Sequence, residues 1–351
     1  MAEHFDSRRL VGIRAERVTD VSNREFPGHY PGEDLSWDLE KFRQNLTVKI
    51  QRASARSIDF DLVGVDASIA NAFRRILIAE VPTLAVENVY VYNNTTVIVD
   101  EVLAHRIGLV PLNVDPKDME MRTDDEESTD RNTLVFKIDV TCTRRPDAPK
   151  DATDPALLYE NHELLSGHMV WEPVGEQDEF FRDRPPAPLN PNIVLAKLRP
   201  GQQVEMTLHA VKGVGKDHAK FNPVATASYR LLPHIIIKKP IPPDLADKFQ
   251  KCFAPGVIKV DPRTKAVSVD DAKKRNDTVS REVLRHPEFD GAVELSRVRD
   301  YFLFNIESES AIPPQRLLLE AIGVMRGKIS TIRQAAAALL DQSGGDVTMG
   351  D

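Results

Sequence analysis

Alternation of apolar and polar residues dominates much of the chain. It is clear over Leu46–Ile50 and again over Ile58–Leu62, with a short polar turn between them. Because successive side chains of a strand point to opposite faces, this period of two predicts a pair of β-strands. The same kind of signal predicts further strands over Thr133–Thr141, Gln203–Val211, Thr226–Ile237 and, with near-continuous apolar character, Asp300–Glu307. Asn93 and Asn94 lie between two strand-like runs and predict a tight hairpin, since asparagine tolerates positive φ.

A helical period replaces the alternation over Ser68–Glu80. Its apolar residues fill about half of the helical circumference, whereas one core needs an arc of only about 100°. These residues are Ile69, Ala70, Ala72, Phe73, Ile76, Leu77 and Ala79. The excess predicts either a helix that packs on a partner or a central helix that its own domain buries on all sides.

The longest predicted element lies near the end of the chain. Pro313 and Pro314 suit a helix start, where the missing amide protons are not needed. Apolar residues then recur in alternating steps of four and three: Leu318, Ile322, Met325, Ile329, Ile332, Ala336 and Leu339. Such a heptad seam is typical of packing on another helix, which only Ser68–Glu80 or another chain offers, although docking on its own sheet remains an alternative.

Two glycines interrupt this helix, and each costs up to about 1 kcal/mol relative to alanine. Gly323 and Gly327 therefore predict either a close backbone approach or a bend.

Composition narrows the functional classes. The 351 residues, 41% of them apolar and 28% charged, predict an ordinary globular protein with two domains or one large insertion. A net charge of −8 argues against a primary nucleic-acid binder, because phosphate affinity needs a basic surface. No apolar run has the length of a membrane span. Two cysteines, Cys142 and Cys252, are too few for a disulfide framework or a zinc site built from thiolates alone, and they favour a reducing compartment.

Candidate catalytic chemistry is weak. Gly213–Lys216 (GVGK) suggests a phosphate-binding loop and hence, as an alternative function, a nucleotide-binding enzyme. However, the first glycine of that motif is missing and Asp217 replaces the hydroxyl residue that would hold magnesium. The histidines of the middle third show no spacing that places two metal ligands on one helical face; they are His105, His162, His168, His209 and His218.

Several segments resemble the α-like subunits of RNA polymerases, the family of bacterial α, its archaeal counterpart and their eukaryotic paralogues. They are Asp66–Pro82 (DASIANAFRRILIAEVP), Asp100–Leu112 (DEVLAHRIGLVPL), Gly213–Pro223 (GVGKDHAKFNP), Tyr229–Pro233 (YRLLP), Cys252–Ile258 (CFAPGVI) and Phe302–Ser308 (FLFNIES). The resemblance covers roughly residues 46–340. Within the family, the chain resembles most the branch of larger α-like subunits shared by RNA polymerases I and III.

Two departures from other branches support that choice. The polymerase II paralogue carries a cysteine-rich zinc loop where Val114–Val140 has no cysteine. Archaeal relatives often hold an iron-sulfur insert in the region that matches Pro240–Val298, where only Cys252 remains. The resemblance therefore implies no metal and no other cofactor for this chain.

The resemblance implies an α+β fold with a discontinuous dimerisation domain, made of a sheet and two packing helices, and an inserted mainly β domain. The implied parts are an arm (1–45), the dimerisation domain (46–86, 229–240 and 299–340), the inserted domain (87–228), an irregular segment with a possible vestigial ferredoxin-like fold (241–298) and a disordered tail (341–351).

The resemblance also implies a non-catalytic assembly role in the nucleus, including the nucleolus. The partners would be the smaller α-like subunit and the large catalytic subunits, with no specific nucleic-acid binding and no membrane. The expected contacts with the smaller subunit are Ile69, Phe73, Ile76, Leu77, Leu318, Ile322, Met325, Ile329 and Ile332. Arg74 and Arg75 match family arginines that contact a large subunit.

Overall fold

The computed structural model describes residues 6–22, 30–32, 34, 36–123, 125–149 and 153–344, with side chains up to residue 340. Its strands are β1 (Leu10–Ile13), β2 (Val18–Thr19), β3 (Thr47–Ala53), β4 (Ser57–Val63), β5 (Thr83–Asn94), β6 (Thr133–Thr141), β7 (Thr143–Arg144), β8 (Tyr159–Glu160), β9 (Glu163–Leu165), β10 (Val170–Glu172), β11 (Val194–Lys197), β12 (Gln203–Gly213), β13 (Val224–Ile237), β14 (Ile258–Val260), β15 (Val267–Val269) and β16 (Val293–Ser308). Its α-helices are α1 (Leu39–Asn45), α2 (Ala67–Ala79), α3 (Asp100–Gly108), α4 (Pro155–Leu158), α5 (Gln177–Phe180), α6 (Ala246–Lys251) and α7 (Pro314–Gly344). This mixture of helices and sheets confirms the α+β fold class.

The larger sheet has the strand order β2-β1-β16-β4-β3, and β13 also pairs with β16. Strands β3 and β4 are antiparallel and place Ile50 opposite Phe60, which confirms the first two predicted strands. Phe60 is buried and stacks on Phe304 of β16, with ring centroids 5.1 Å apart. In the near-continuous apolar stretch of β16, the consecutive residues Phe302, Leu303 and Phe304 are all buried, so both faces of the strand are covered there.

The second sheet is antiparallel, with the order β10-β6-β12-β5. Alternate side chains of β12 face one core and have no exposed surface; they are Val204, Met206, Leu208 and Ala210. Opposite them on β6, Ile138 and Phe136 are equally buried. The period of two read from the sequence thus marks the inner face of this sheet correctly.

At three places the structure differs from the sequence predictions or adds to them. Part of the predicted arm is a strand: β1 pairs with β16 and buries Leu10 and Ile13, a run too short to show a period in the sequence. Asn93 and Asn94 end β5 instead of forming a hairpin, because the Asn94 amide group donates to the Ile98 carbonyl and to Asp100. Residues 341–344 continue α7, whereas residues 345–351 of the predicted tail, like 1–5 and 23–29 of the arm, lie outside the described residues.

The segment 241–298 contains α6, the β14–β15 hairpin and several 3-10 turns around an apolar cluster that includes Phe249, Val257 and Phe289. A buried carboxylate ties this segment to the sheet. Asp61 of β4 accepts hydrogen bonds from Arg275 (2.8 Å) and from the Tyr301 hydroxyl (3.0 Å). The segment is therefore organised, although its elements are too short for a period of the sequence to reveal them.

Contacts divide the chain into two compact units. The first comprises Met1–Ala53, Ile58–Arg74 and Ser228–Asn305, and the second comprises Ser54–Ser57, Arg75–Ala227 and Ile306–Asp351. By its contacts α7 thus belongs with the mainly β unit, although the resemblance assigns it to the dimerisation domain. Among the described residues, no helix combines the length and apolar character that a membrane crossing requires.

Candidate assembly surface

Helix α2 is fixed at both ends. Asp66 is buried, and its carboxylate accepts a hydrogen bond from the Ser68 amide at 2.8 Å, which satisfies one of the unpaired donors of the first turn. At the other end, the amides of Glu80 and Val81 both donate to the Ile76 carbonyl. The helix therefore presents its side chains on a backbone held at its first and last turns.

The predicted interface residues of α2 fall into two groups. Ile69 and Phe73 are half-buried and retain surface that a partner can contact. Leu77 has no exposed surface and Ile76 only 4%, because both pack inside the chain's own core. The assignment of Ile76 and Leu77 to a partner interface is therefore corrected, and on the apolar arc of α2 Ile69 and Phe73 keep accessible surface.

The two arginines of α2 differ in their surroundings. Arg74 is half-buried, and its Nε and Nη2 atoms donate to Asn71 Oδ1 at 3.1 and 2.9 Å. Arg75 is exposed. Asn71 thus holds the Arg74 guanidinium in one direction, while donors on its far side stay available.

The first turns of α7 (Pro314–Ala321), termed here the anchored turns, are attached to their own unit. Leu317 and Ala321 are fully buried. Arg316 donates to both carboxylate oxygens of Asp115 and, at 2.7 Å, to Glu320. Lys117 completes the cluster with a 2.9 Å ion pair to Glu320.

This cluster perturbs its carboxyl groups. The hydrogen bond from Arg316 lowers the pKa of Asp115 below its usual value, despite an opposing effect of burial. Burial alone would raise the pKa of Glu320, but its hydrogen bonds with Lys117 and Arg316 together outweigh burial and lower it. Both carboxylates are therefore stabilised in the charged form that anchors the helix.

The remainder of the helix, Ile322–Leu340, is termed here the exposed half. Along the predicted seam, Leu318 and Met325 are half-buried, while the exposed fraction is 36% at Ile322, 58% at Ile329 and 69% at Ile332. Every described side chain from Arg326 to Leu340 is exposed. An apolar seam that the chain itself leaves uncovered is the main evidence for a helical partner, since burial of such surface gains about 25 cal/mol per Å².

Two glycines of α7 lie in open space. Apart from the helix's own backbone and chain neighbours, a Cβ atom added at Gly323 or Gly327 would meet no heavy atom of the described residues within 4 Å. The exposed half does touch the end of α2, because Lys328 Nζ lies 2.8 Å from both carboxylate oxygens of Glu80.

The loop Gly213–Lys216 packs against the C-terminal end of α2. The Lys216 amide donates to the Ala79 carbonyl at 2.7 Å, and a Cβ atom at Gly215 would lie only 2.3 Å from the Ile78 carbonyl oxygen. A phosphate loop places its amides at a helix N-terminus, whereas these face the C-terminal carbonyls of α2, where the partial charge is negative. The alternative function of a nucleotide-binding enzyme is therefore not supported.

The remaining candidate chemistry is equally limited. Cys142 and Cys252 are buried, and burial raises the pKa of both thiols. Across the part of the chain that the structure describes, no three side chains of His, Cys, Asp or Glu gather in an arrangement that could hold a metal ion.

Sequence reasoning missed the anchoring cluster. Asp115 and Arg316 are 201 positions apart, and neither residue type is unusual in its local sequence. No periodicity signals such a pair; only the folded chain brings it together.

Comparisons with known proteins agree with this geometry. Residues 59–329 match the family model described as the RNA polymerase Rpb3/Rpb11 dimerisation domain. The subunit RPAC1 of DNA-directed RNA polymerases I and III from Saccharomyces cerevisiae is 49% identical over 331 residues, which cover 92% of this chain and 97% of that protein. The subunit of the same name from Homo sapiens is 48% identical over 327 residues, covering 93% and 94%. The RNA polymerase II subunit rpb3 of Dictyostelium discoideum is 31% identical over 325 residues, covering 87% and 100%.

These matches confirm the resemblance that the short motifs carried. The higher identity to the polymerase I and III subunits also agrees with the branch that the absent zinc loop indicated. The chain belongs to the family of RNA polymerase subunits that share the Rpb3/Rpb11 dimerisation domain.

Proposed function

We propose that this chain is the larger α-like subunit of RNA polymerases I and III and that it contributes to transcription by assembly, without catalytic groups of its own. It pairs with the smaller α-like subunit, and the pair is the platform on which the large catalytic subunits assemble. The enzymes so formed transcribe rRNA, tRNA and other small RNA genes. The names of its relatives support the enzyme, and the uncovered seam of α7 supports the mode of pairing.

The proposed contacts with the smaller subunit are those predicted side chains that keep accessible surface. They are Ile69 and Phe73 on α2 and Leu318, Ile322, Met325, Ile329 and Ile332 on α7. Arg74 and Arg75 are proposed to contact a large subunit, since guanidinium groups suit the carboxylates and carbonyls of a protein partner. We place the assembled subunit in the nucleus, including the nucleolus, which it enters with its partners.

Charged substitution in the seam tests the pairing. Ile329→Asp is expected to abolish co-purification with the smaller α-like subunit, because a charged carboxylate would replace an apolar side chain in the buried seam. Its effect on the stability of the isolated chain is expected to be small, since Ile329 is 58% exposed. Phe73→Glu is the corresponding change on α2.

Val97→Asp is the matched control, because Val97 is 88% exposed and lies outside both helices. Co-purification at high salt and the thermal midpoint of each isolated variant are the measurements. Normal pairing of Ile329→Asp would show that the seam is not the interface, whereas loss of pairing in the Val97 control would show that the assay responds to any added charge.

A further inference from the structure

The charged residues of the exposed half of α7 are arranged in register with its seam. Alternating steps of four and three make the seam residues the a and d positions of a heptad, with Ile329 at a and Ile332 at d. Arg326 and Arg333 then follow d positions and occupy e, and Lys328 precedes an a position and occupies g. The positions that flank a helical interface are thus where the charges of this segment lie.

All of these charges have one sign. Between Ala321 and Leu340 the sequence contains no aspartate or glutamate, although the chain as a whole carries a net charge of −8. Helix α2 shows the same bias, because Arg74 and Arg75 are its charged residues. The basic charge of these two helices, on an otherwise acidic chain, is a property that the surface of a partner would have to match.

The chain neutralises one of the three cations. Lys328 is paired with Glu80, as described above. Arg326 and Arg333 are exposed. Among the residues whose side chains the structure describes, neither arginine has an ion-pair partner. These two guanidinium groups beside the seam therefore have no counter-charge among the side chains that the structure describes.

Residues at e and g determine which helices pair. In a parallel pair, e of one helix faces g of the other, and in an antiparallel pair e faces e and g faces g. For two copies of this chain, an antiparallel pair places the arginines at e against each other, and a parallel pair places them against Lys328, whose charge Glu80 already balances. Repulsion of this kind excludes wrong partners, while opposite charges accelerate and stabilise the correct pairing.

We propose that Arg326 and Arg333 select a partner helix whose apolar seam is flanked by carboxylates, and that they disfavour pairing with a second copy of this chain. The proposal rests on the proposed function, since it specifies the chemistry of the helix that covers α7. The apolar seam provides affinity for any helix with a complementary apolar surface. The flanking cations then favour a helix with acidic flanks over a second copy of α7.

Charge reversal tests the selection. The full chain carrying Arg326→Glu and Arg333→Glu is titrated with the purified smaller α-like subunit at about 50 mM and about 500 mM NaCl. We expect its Kd to be about tenfold higher than that of the unchanged chain at low salt, because attraction becomes repulsion at two exposed sites. The difference is expected to shrink to about two- to threefold at high salt, where exposed charges are screened.

Two controls separate charge from shape. The neutral pair Arg326→Gln and Arg333→Gln should fall between the unchanged and the reversed chains. Arg263→Glu reverses an exposed cation in the turn between β14 and β15 and should leave Kd within about twofold. Equal Kd and equal salt dependence for the reversed and unchanged chains would overturn the proposal.

Sedimentation velocity tests the second half of the proposal. The unchanged chain alone is expected to remain monomeric at concentrations where the heterodimer is saturated, and a mixture of unchanged and reversed chains should associate more than either alone. Self-association as tight as the pairing with the smaller subunit would contradict it. If Ile329→Asp abolishes pairing while charge reversal does not affect it, only the charge selection fails; if Ile329→Asp pairs normally, the proposed interface itself fails.

Discussion

The anchored turns and the exposed half of α7 follow one helical period but have different surroundings. In the anchored turns, Leu317 is fully buried and Arg316 is held by Asp115 and Glu320. In the exposed half, Ile332 is 69% exposed although it continues the same seam. The comparison shows that an apolar seam indicates only that a helix has a surface to bury. The chain buries that surface at the beginning of α7 and leaves the rest exposed.

Removing a leucine side chain from each part gives the largest expected difference. Leu317→Ala should lower the free energy of unfolding of the isolated chain by about 2–5 kcal/mol, because it leaves a cavity in a packed core. Leu339→Ala removes the same atoms from a side chain that is 67% exposed, and it should change the free energy of unfolding by less than about 0.5 kcal/mol.

Urea denaturation of both variants, alone and with the smaller α-like subunit present, measures the contrast. The partner is expected to make Leu339→Ala costly, since it would then bury that side chain. Similar losses for the two variants in the isolated chain would mean that the exposed half is already covered in solution, and the distinction between the two parts would disappear.

Acidification should weaken the anchored turns before it affects the exposed half. The pKa values of Asp115 and Glu320 are lower in the folded chain than in the unfolded chain. Their contribution to stability is therefore fully present when the pH is above the unfolded pKa values, and it is lost as the pH falls through the folded pKa values. Asp118 acts in the opposite direction, because burial, followed by the charge of Asp115, raises its pKa. The window for loss of the anchor therefore lies below about pH 4.

Comparison with Asp115→Asn separates the contribution of the Asp115–Arg316 ion pair from that of the other carboxylates. The unchanged chain should be more stable than the variant by about 1–2 kcal/mol at neutral pH, since the hydrogen bonds from Arg316 are charge-assisted. The difference should decrease as the pH falls from 5 towards 3, which chemical denaturation at each pH would measure. A difference that is independent of pH would show that the charge of Asp115 does not anchor the helix.

The same comparison shows how far the sequence predicts the molecule. The period of α7 is a local property, so its start at Pro314 and its seam are readable without the fold. What covers the seam cannot be read from the local sequence. The pattern treats Leu318 and Ile329 alike, and only the structure shows that the first is half-buried and the second is exposed. For the same reason, the resemblance assigned Ile76 and Leu77 to the partner interface, whereas the core of the chain buries both side chains.

Family resemblance and local pattern contributed different information and missed the same features. The resemblance identified the branch of the family, and with it a partnership with other polymerase subunits, which the charge pattern alone could not. Neither predicted the link from Asp61 to Arg275, which spans 214 positions, or the strand β1, whose four residues are too few for a period. Long-range polar contacts and short strands depend on the completed fold, and these are the features that position the predicted elements.

The smallest expected effect concerns Gly327, within the exposed half. Gly327→Ala should stabilise the helix by about 0.5–1 kcal/mol, because alanine loses less backbone entropy and the added Cβ would meet no described atom within 4 Å outside its own stretch of helix. Slower hydrogen exchange across Ile322–Leu340 in the isolated chain would measure this gain. With Ile329 at heptad position a, Gly327 occupies f and faces away from a helical partner, so pairing should stay within about twofold of the unchanged chain. A marked loss of pairing would instead mean that a partner backbone approaches closely at this glycine, and the surface assigned to the partner would have to be rotated around α7.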